Sequence, residues 1–462
     1  MAISAPGVGS GLDIKSIISQ LMAAEREPLN RLQTQQTSFQ ARLSAYGQIK
    51  SALSKLQDAA TALTTSSTFS ATTAKVSDAA AFMATSSASA VPGIYAVQVD
   101  TLARTQRVAT SATTTPSVSP GSLTITFGSY DGSGNFTSDG ASPKTVTLTA
   151  GSTLAELSDA INAAKTGVTA RVINNGTTDQ LVLTGDQTGA AKAFQVSGTG
   201  GLTGFSFDAG NPGGSSLTSI QAAKDARLTI DGIAVTRSTN TVTDVIEGVA
   251  LALTKEASST ELTVARNDDV ADKAINDFAT AYNELNKLLR DQSAFNAETK
   301  KAGTLNGDSV VRSIQNQLRS VFQKPLSDLT GAKALSDIGL SFKTDGSLSI
   351  DKTKLTAALA DPTTNVAELF AGNGTVKGYA KLLGDTVTDM LDADGLVDSR
   401  TDGINRSIKA LDARRDAIEF RLERIEARYV AQFTALDSMM ASMNQTSSFL
   451  TQQLANLPTI GQ

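Results

Sequence analysis

Ile404-Asn-Arg-Ser-Ile408-Lys-Ala-Leu411-Asp-Ala-Arg-Arg415-Asp-Ala-Ile418-Glu-Phe-Arg-Leu422-Glu-Arg-Ile425-Glu-Ala-Arg-Tyr429 decides how this chain is read. Its apolar residues fall at alternating steps of four and three, and Arg415 is the one polar interruption. After a four-residue step to Phe433 the series resumes through Leu436, Met440, Met443, Leu450, Leu454 and Leu457. This is the heptad signature of a coiled coil with one stutter near Tyr429. One helix is therefore expected from about residue 404 to 457. A seam of that length cannot bury itself and needs partner helices. The other end of the chain offers one, because Phe39, Leu43, Tyr46, Ile49, Leu53, Leu56 and Leu63 repeat the spacing. The two ends are expected to lie side by side, with position 53 near the region of 418.

Between the ends the period changes. From about Val76 to Arg266 apolar residues alternate, and turn residues separate the runs. Strands are expected at 94–99, 123–127, 146–149, 168–173 and 181–184. Thr153 and Glu156 form a capping-box signal for a helix that Gly167 ends. Residues 198–216 read as loop. Asp231-Gly232 between 228–230 and 233–235 signals a two-residue hairpin. A short helix is expected at 244–248, then strands at 251–254 and 262–266. The segments around Thr153 and Thr241 look alike, as if repeated. Helices return at Asp268. At the start, Asp13 or Ser10 can cap a first helix, and Pro28 should interrupt it.

The order gives an α+β multidomain fold: a helical coiled-coil or bundle stalk from both chain ends, with β-rich head domains inserted. The expected division has four parts. Residues 1–42 and 430–462 are terminal leg helices, mobile in the monomer. Residues 43–70 and 268–429 form the helical stalk. Residues 71–108 and 221–267 form a β-rich head domain, and 109–220 a second, outer one. Three or four domains suit 462 residues. Aromatics are only 5% and Trp is absent, so the cores are expected to be built from Ala, Val, Leu and Ile.

Composition narrows function. Cys and His are both absent. Ser-His-Asp and Cys-His catalysis, zinc sites of Cys and His, and disulfides are therefore excluded. The formal net charge is −5 with no long basic run, which argues against nucleic-acid binding. No apolar run is long enough for a membrane span, and the N-terminal segment lacks the features of a cleavable signal peptide. Asp389, Asp392, Asp394 and Asp398 suggest a calcium loop. With Gly395 as the loop glycine, however, Met390 and Thr401 occupy positions that require carboxylates. The glycines at 198–204 and 185–192 match no phosphate-binding pattern. No enzyme chemistry, cofactor or metal is expected.

The ends also carry recognisable motifs. Gly7-Val-Gly-Ser-Gly-Leu12-Asp13, Gln35-Gln36-Thr-Ser-Phe39 and Leu43-Ser-Ala-Tyr46-Gly47 closely resemble the bacterial flagellar filament cap family, also called hook-associated protein 2. Arg428-Tyr429-Val-Ala-Gln432-Phe433-Thr-Ala-Leu436-Asp437 and Ser447-Ser-Phe449-Leu450-Thr-Gln-Gln453 resemble the same family. Leu228 to Leu253 looks like the short motif shared by flagellins and their caps, while 109–220 carries no matched motif.

That resemblance implies a secreted protein, exported unfolded by the flagellar type III apparatus. It implies a closed ring at the filament tip, five copies by family likeness, that helps flagellin insert, fold and polymerise and keeps it from being lost. Its partners would be other copies of itself, flagellin, the hook–filament junction protein, an export chaperone and, in some members, host surface glycans. The coiled-coil seam would comprise Phe39, Leu43, Tyr46, Ile49, Leu53, Leu56, Ile404, Ile408, Leu411, Ile418, Leu422, Ile425, Tyr429, Phe433 and Leu436. Contact with flagellin would fall to Leu12, Ile17, Leu21, Met440, Met443, Leu450 and Leu454. The alternatives are another axial flagellar protein (a junction protein or flagellin) and a surface adhesin with a coiled-coil stalk.

Overall fold

The computed structural model describes residues 13–112, 115–149 and 153–455. The chain divides into two compact units, Met1–Thr68 with Ala271–Gln462, and Phe69–Val270. The first is mainly helical and assembled from both ends of the chain; the second is β-rich and inserted between them.

In the helical unit, Asp13 caps helix Ile14–Glu25 by accepting from the Ser16 N–H at 3.0 Å. The helix stops at Arg26, and a second one, Glu27–Thr64, begins at once. Pro28 sits in its first turn, where the missing N–H has no intrahelical partner to lose. Tyr46, Ile49, Leu53, Leu56, Ala60 and Leu63 are all fully buried along one stripe, and Gln57 Nε2 donates to Thr388 Oγ1 at 2.7 Å on helix Tyr379–Leu391. The C-terminal helix is 60 residues long, Leu396–Ala455. It starts earlier than the seam suggested, because Val397 is buried and provides an apolar anchor before the heptads begin.

Helices Asp268–Ser293, Ser309–Val321, Lys352–Ala360 and Val366–Ala371 also belong to this unit, with small hairpins of Phe295–Asn296 with Lys301–Ala302 and of Leu340–Phe342 with Leu348–Ile350. Its core is mostly Ala, Val, Leu and Ile, as composition led one to expect, with one aromatic cluster beside them. Phe278, Tyr282, Phe322, Phe342, Phe370 and Tyr379 interlock with ring centroids 5.4 to 6.5 Å apart, mostly edge to face. They meet where four helices and a hairpin come together, a junction that large rigid rings fill well.

The β-rich unit has two cores. One lies between a five-stranded antiparallel sheet, in the order Thr72–Val76, Ser258–Arg266, Gly93–Thr101, Ala226–Ile230, Ile233–Arg237, and a three-stranded sheet of Thr241–Val242, Val249–Leu253 and Phe82–Ser86. Phe82, Val97, Val99, Leu228, Leu251 and Leu262 fill it. Asp231 and Gly232 adopt φ of +48° and +84°, the geometry of a type I′ hairpin turn. Asp231 Oδ1 also accepts from the Ala96 N–H at 2.8 Å, which ties the turn to the next strand.

The other core packs helix Leu154–Ala163 against two four-stranded sheets. One holds Gly121–Tyr130, Phe136–Ser138, Lys144–Leu148 and Ala193–Gly200; the other holds Arg107–Ala109, Val168–Asn174, Asp179–Gly185 and Thr218–Gln221. Thr153 and Glu156 make the reciprocal capping box.

Four local expectations need correction. Residues 244–248 form bends and a turn, not a helix: Arg237 Nε holds both Asp244 carboxylate oxygens at 2.9 and 3.1 Å, and Gly248 turns to φ +71°. With that helix goes the resemblance to the Thr153 segment. The capped helix ends at Ala163, before Gly167, because Asn162 turns away to make two hydrogen bonds with the Ala170 backbone. Part of 198–216 is strand, since Ala193–Gly200 pairs along its length with Gly121–Gly128.

Candidate functional site: the terminal helices

The two ends of the chain run antiparallel within the helical unit. Met22, Leu422 and Ile425 form a buried cluster joined by Ile18, Leu29, Ile418 and Tyr429. Further along, Gln36 Nε2 donates to Asp412 Oδ1 at 2.9 Å, and Phe39 and Arg42 face Ser407, Leu411 and Arg414. Numbers rise on one helix as they fall on the other. Leu53 lies 17 residues, about 25 Å of helix, beyond Gln36 in the direction away from Ile418. The expected pairing of 53 with 418 is therefore replaced by Ile418 with the Met22–Leu29 region, a register set by where the first helix breaks.

Arg415, the polar interruption, is half-buried and stays on the seam by pairing with its own helix, 3.4 Å from Asp412, 3.2 Å from Asp416 and 3.7 Å from Glu419. Deeper in the unit a polar latch joins three helices. Asp308 caps helix Ser309–Val321 by accepting from the Val310 N–H at 3.0 Å. It also accepts from Arg400 Nε and Nη2 of the C-terminal helix at 3.1 and 2.8 Å. Burial opposes the Asp308 charge, but the Arg400 guanidinium and the Val310 N–H outweigh it and hold the carboxyl below its usual range. Tyr46 is the third member. Burial first, and then the Asp308 charge, push its phenol well above the ordinary value. No hydrogen-bond partner in ordinary geometry meets the Tyr46 hydroxyl among the described residues.

The seam positions differ in burial. Tyr46, Ile49, Leu53, Leu56, Ile404, Leu411, Leu422 and Ile425 are buried. Phe39, Leu43, Ile408, Ile418, Tyr429 and Phe433 are half-buried, and Leu436 is exposed. Ile17 and Met440 are half-buried too, whereas Leu21, Met443, Leu450 and Leu454 are exposed. Leu12 and Leu457 lie outside the described residues. On the C-terminal helix, Ile418, Leu422, Ile425, Tyr429, Leu436, Met440, Met443, Leu450 and Leu454 share one arc about 80° wide at about 100° per residue. The stripe is thus packed near 418–429 and bare near 436–454. A groove of about 420 Å³ between Ile14, Ile18, Met22 and Glu426, Val430, Thr434 marks the change.

Sequence reasoning missed the Asp308–Arg400 latch, whose partners are 92 positions apart. Only the Asp before a helical run hinted at the cap. No helix of the described residues is long and apolar enough to cross a membrane. Among the same residues no group of acidic side chains has the geometry to hold a metal.

A helical unit made from both chain ends, with an apolar stripe left bare and β-rich cores inserted between, suits a protein that assembles with other chains. Three family models match: flagellar hook-associated protein 2 N-terminus over residues 10–106, flagellar hook-associated protein 2 C-terminus over 223–445, and the flagellin hook IN motif over 124–187. Flagellar hook-associated protein 2 of Escherichia coli O157:H7 is 36% identical over 474 residues, covering 98% of each chain. The A-type protein of Pseudomonas aeruginosa is 35% identical, covering 98% of this chain and 97% of its own. The crystal structure of the flagellar cap protein D1-D2-D3 domains from Escherichia coli superposes with a TM-score of 0.65 at 34% identity, covering 78% of this chain and 99% of that one. The chain belongs to the flagellar hook-associated protein 2 family. The flagellin hook IN motif is matched at 124–187, in the region that carried no legible motif, while 228–253 falls within the C-terminal family model.

Proposed function

We propose that this protein caps the tip of the bacterial flagellar filament, where it promotes the insertion and polymerisation of exported flagellin and is not an enzyme. Full-length similarity to flagellar hook-associated protein 2 carries the reading. The bare stripe from Leu436 to Leu454 supports it, because an apolar helix face about 27 Å long needs another chain to bury it. On this reading Leu436, Met440, Met443, Leu450 and Leu454 meet flagellin, together with Ile17 and Leu21 beside the groove, and Leu12 ahead of them in sequence. The packed seam from Phe39 to Leu56 and from Ile404 to Tyr429 holds the subunit together.

Four further assignments belong to the same proposal. They are a closed ring of copies, export through the flagellar type III apparatus with a chaperone, contact with the hook–filament junction protein, and a β-rich unit available to host surface glycans. The four-part domain division, with mobile legs at 1–42 and 430–462, is proposed likewise.

Deleting the gene tests the central function. The mutant should release unpolymerised flagellin into the medium and build no long filaments, and tagged protein should appear only at filament tips. Label along the whole filament, or normal filaments in the deletion, would overturn it.

A further inference from the structure

Three of the seven methionines, Met439, Met440 and Met443, fall within five positions of the C-terminal helix. They lie on or at the edge of the bare stripe. Met439 is 63% exposed and Met443 60% exposed, while Met22 and Met390 are at 4% and 1%. The chain has no cysteine to intercept an oxidant first. We propose that Met439, Met440 and Met443 are an oxidant-sensitive modification site, and that their conversion to sulfoxides by hydroperoxides switches off the contact face of the C-terminal helix. The effect on assembly rests on the proposed use of that face; the modification itself does not.

The chemistry is a two-electron oxygen transfer. A lone pair of the thioether sulfur attacks the terminal oxygen of the peroxide, an S–O bond forms and the O–O bond breaks. The second oxygen of hydrogen peroxide leaves as water, taking up the proton that the transferred oxygen gives up. Sulfur is oxidised and peroxide reduced. The product keeps the length of methionine but carries a strongly polar S–O group.

Position makes the change consequential. The stripe runs Leu436, Met440, Met443, Leu450, Leu454 with Met439 at its edge, so the thioethers fill the stretch between Leu436 and Leu450. Turning each of them polar leaves Leu436 separated from Leu450 and Leu454 by a polar gap. The same flexible thioether that suits an adaptable contact is the group oxidation removes. Enzymatic reduction of sulfoxides makes the change reversible.

The experiment treats the purified full-length chain with hydrogen peroxide and follows each methionine by peptide mass spectrometry. It then measures co-sedimentation with flagellin filaments. Met439 and Met443 should oxidise about ten-fold faster than Met22 and Met390, with Met440 between them. Met83, exposed in the β-rich unit, is the reference for an unshielded site. Oxidised protein should co-sediment at least about ten-fold less well and recover after treatment with methionine sulfoxide reductases A and B. The variant M439L/M440L/M443L should bind before and after peroxide alike.

Equal oxidation of buried and stripe methionines would overturn the site. Full binding by protein whose Met439 and Met443 are sulfoxides would overturn the switch. If unoxidised M439Q/M440Q/M443Q binds like the parent, the stripe is not the contact face. In that case it is the assembly reading that fails, and the mapped oxidation stands by itself.

Discussion

Replacing Asp308 with Ala removes two interactions from one buried carboxylate. The side chain caps helix Ser309–Val321 and receives two hydrogen bonds from Arg400 of the C-terminal helix. Loss of an N-cap acceptor costs about 1 kcal/mol. Loss of the charge-assisted pair adds about 1–2 kcal/mol. The full 3–5 kcal/mol of a broken buried pair is not reached, because the Arg400 side chain is 40% exposed and hydrates once released. The expected total is about 2–3 kcal/mol. At about 2–4 °C per kcal/mol for a unit of this size, melting should fall by roughly 4–12 °C. Differential scanning calorimetry of the full chain reads this, since the helical and β-rich units can unfold as separate transitions. Only the helical transition should move. The variant also has a pH signature. The folded pKa of Asp308 lies below the unfolded one near 3.9. Its contribution is therefore complete above that unfolded value and is lost as pH falls through the depressed folded value. The gap between parent and variant should narrow on acidification below about pH 4. A helical transition unmoved at neutral pH, or a gap that widens in acid, would refute the latch.

Other consequences are as direct. Leu422→Asp or Ile425→Asp places a charge among Met22, Ile418 and Tyr429 and should destabilise the helical unit by several kcal/mol, with faster trypsin cleavage in the C-terminal helix and loss of swimming. Unchanged proteolysis and normal filaments would count against that packing. Gly232→Val forces a β-branched residue to φ +84°. It should cost about 1–2 kcal/mol and lower only the β-rich transition; an unaltered scan would contradict the type I′ turn. The chain has no native cysteine, so cysteines introduced at Gln36 and Asp412 can be tested with a short bifunctional maleimide. The pair should link in the free chain, whereas Leu53 with Ile418 should not; the opposite pattern would invalidate the antiparallel register.

Legibility in the sequence followed how much local pattern each element carries. The C-terminal helix is plain because its heptads continue past one arginine and one stutter. Its first turns were missed because 396–403 contain no seam and include Gly403. Strands Thr72–Val76 and Phe82–Ser86 are mostly Thr, Ser and Ala, so their alternation is too weak to see. The false helix at 244–248 came from a Thr-aliphatic-acidic signal whose acid is taken by Arg237, a cross-loop partner. The aromatic junction from Phe278 to Tyr379 and the Asp308–Arg400 latch join residues far apart in the chain. Neither period nor composition encodes such pairs. The candidate contact face was legible in part, since the spacing put Leu436, Met443, Leu450 and Leu454 on one seam. That the seam changes from packed to bare beyond Tyr429 required knowing where Ile14–Glu25 ends up.

Hydrogen exchange along the C-terminal helix, in the free chain and again bound to flagellin filaments, tests the central claim most directly. Amides at 404–425 should be protected in both states. Those at 436–454 should exchange rapidly in the free chain and become protected at the filament. Equal protection of 436–454 in the two states would contradict the idea that this stripe waits for another chain.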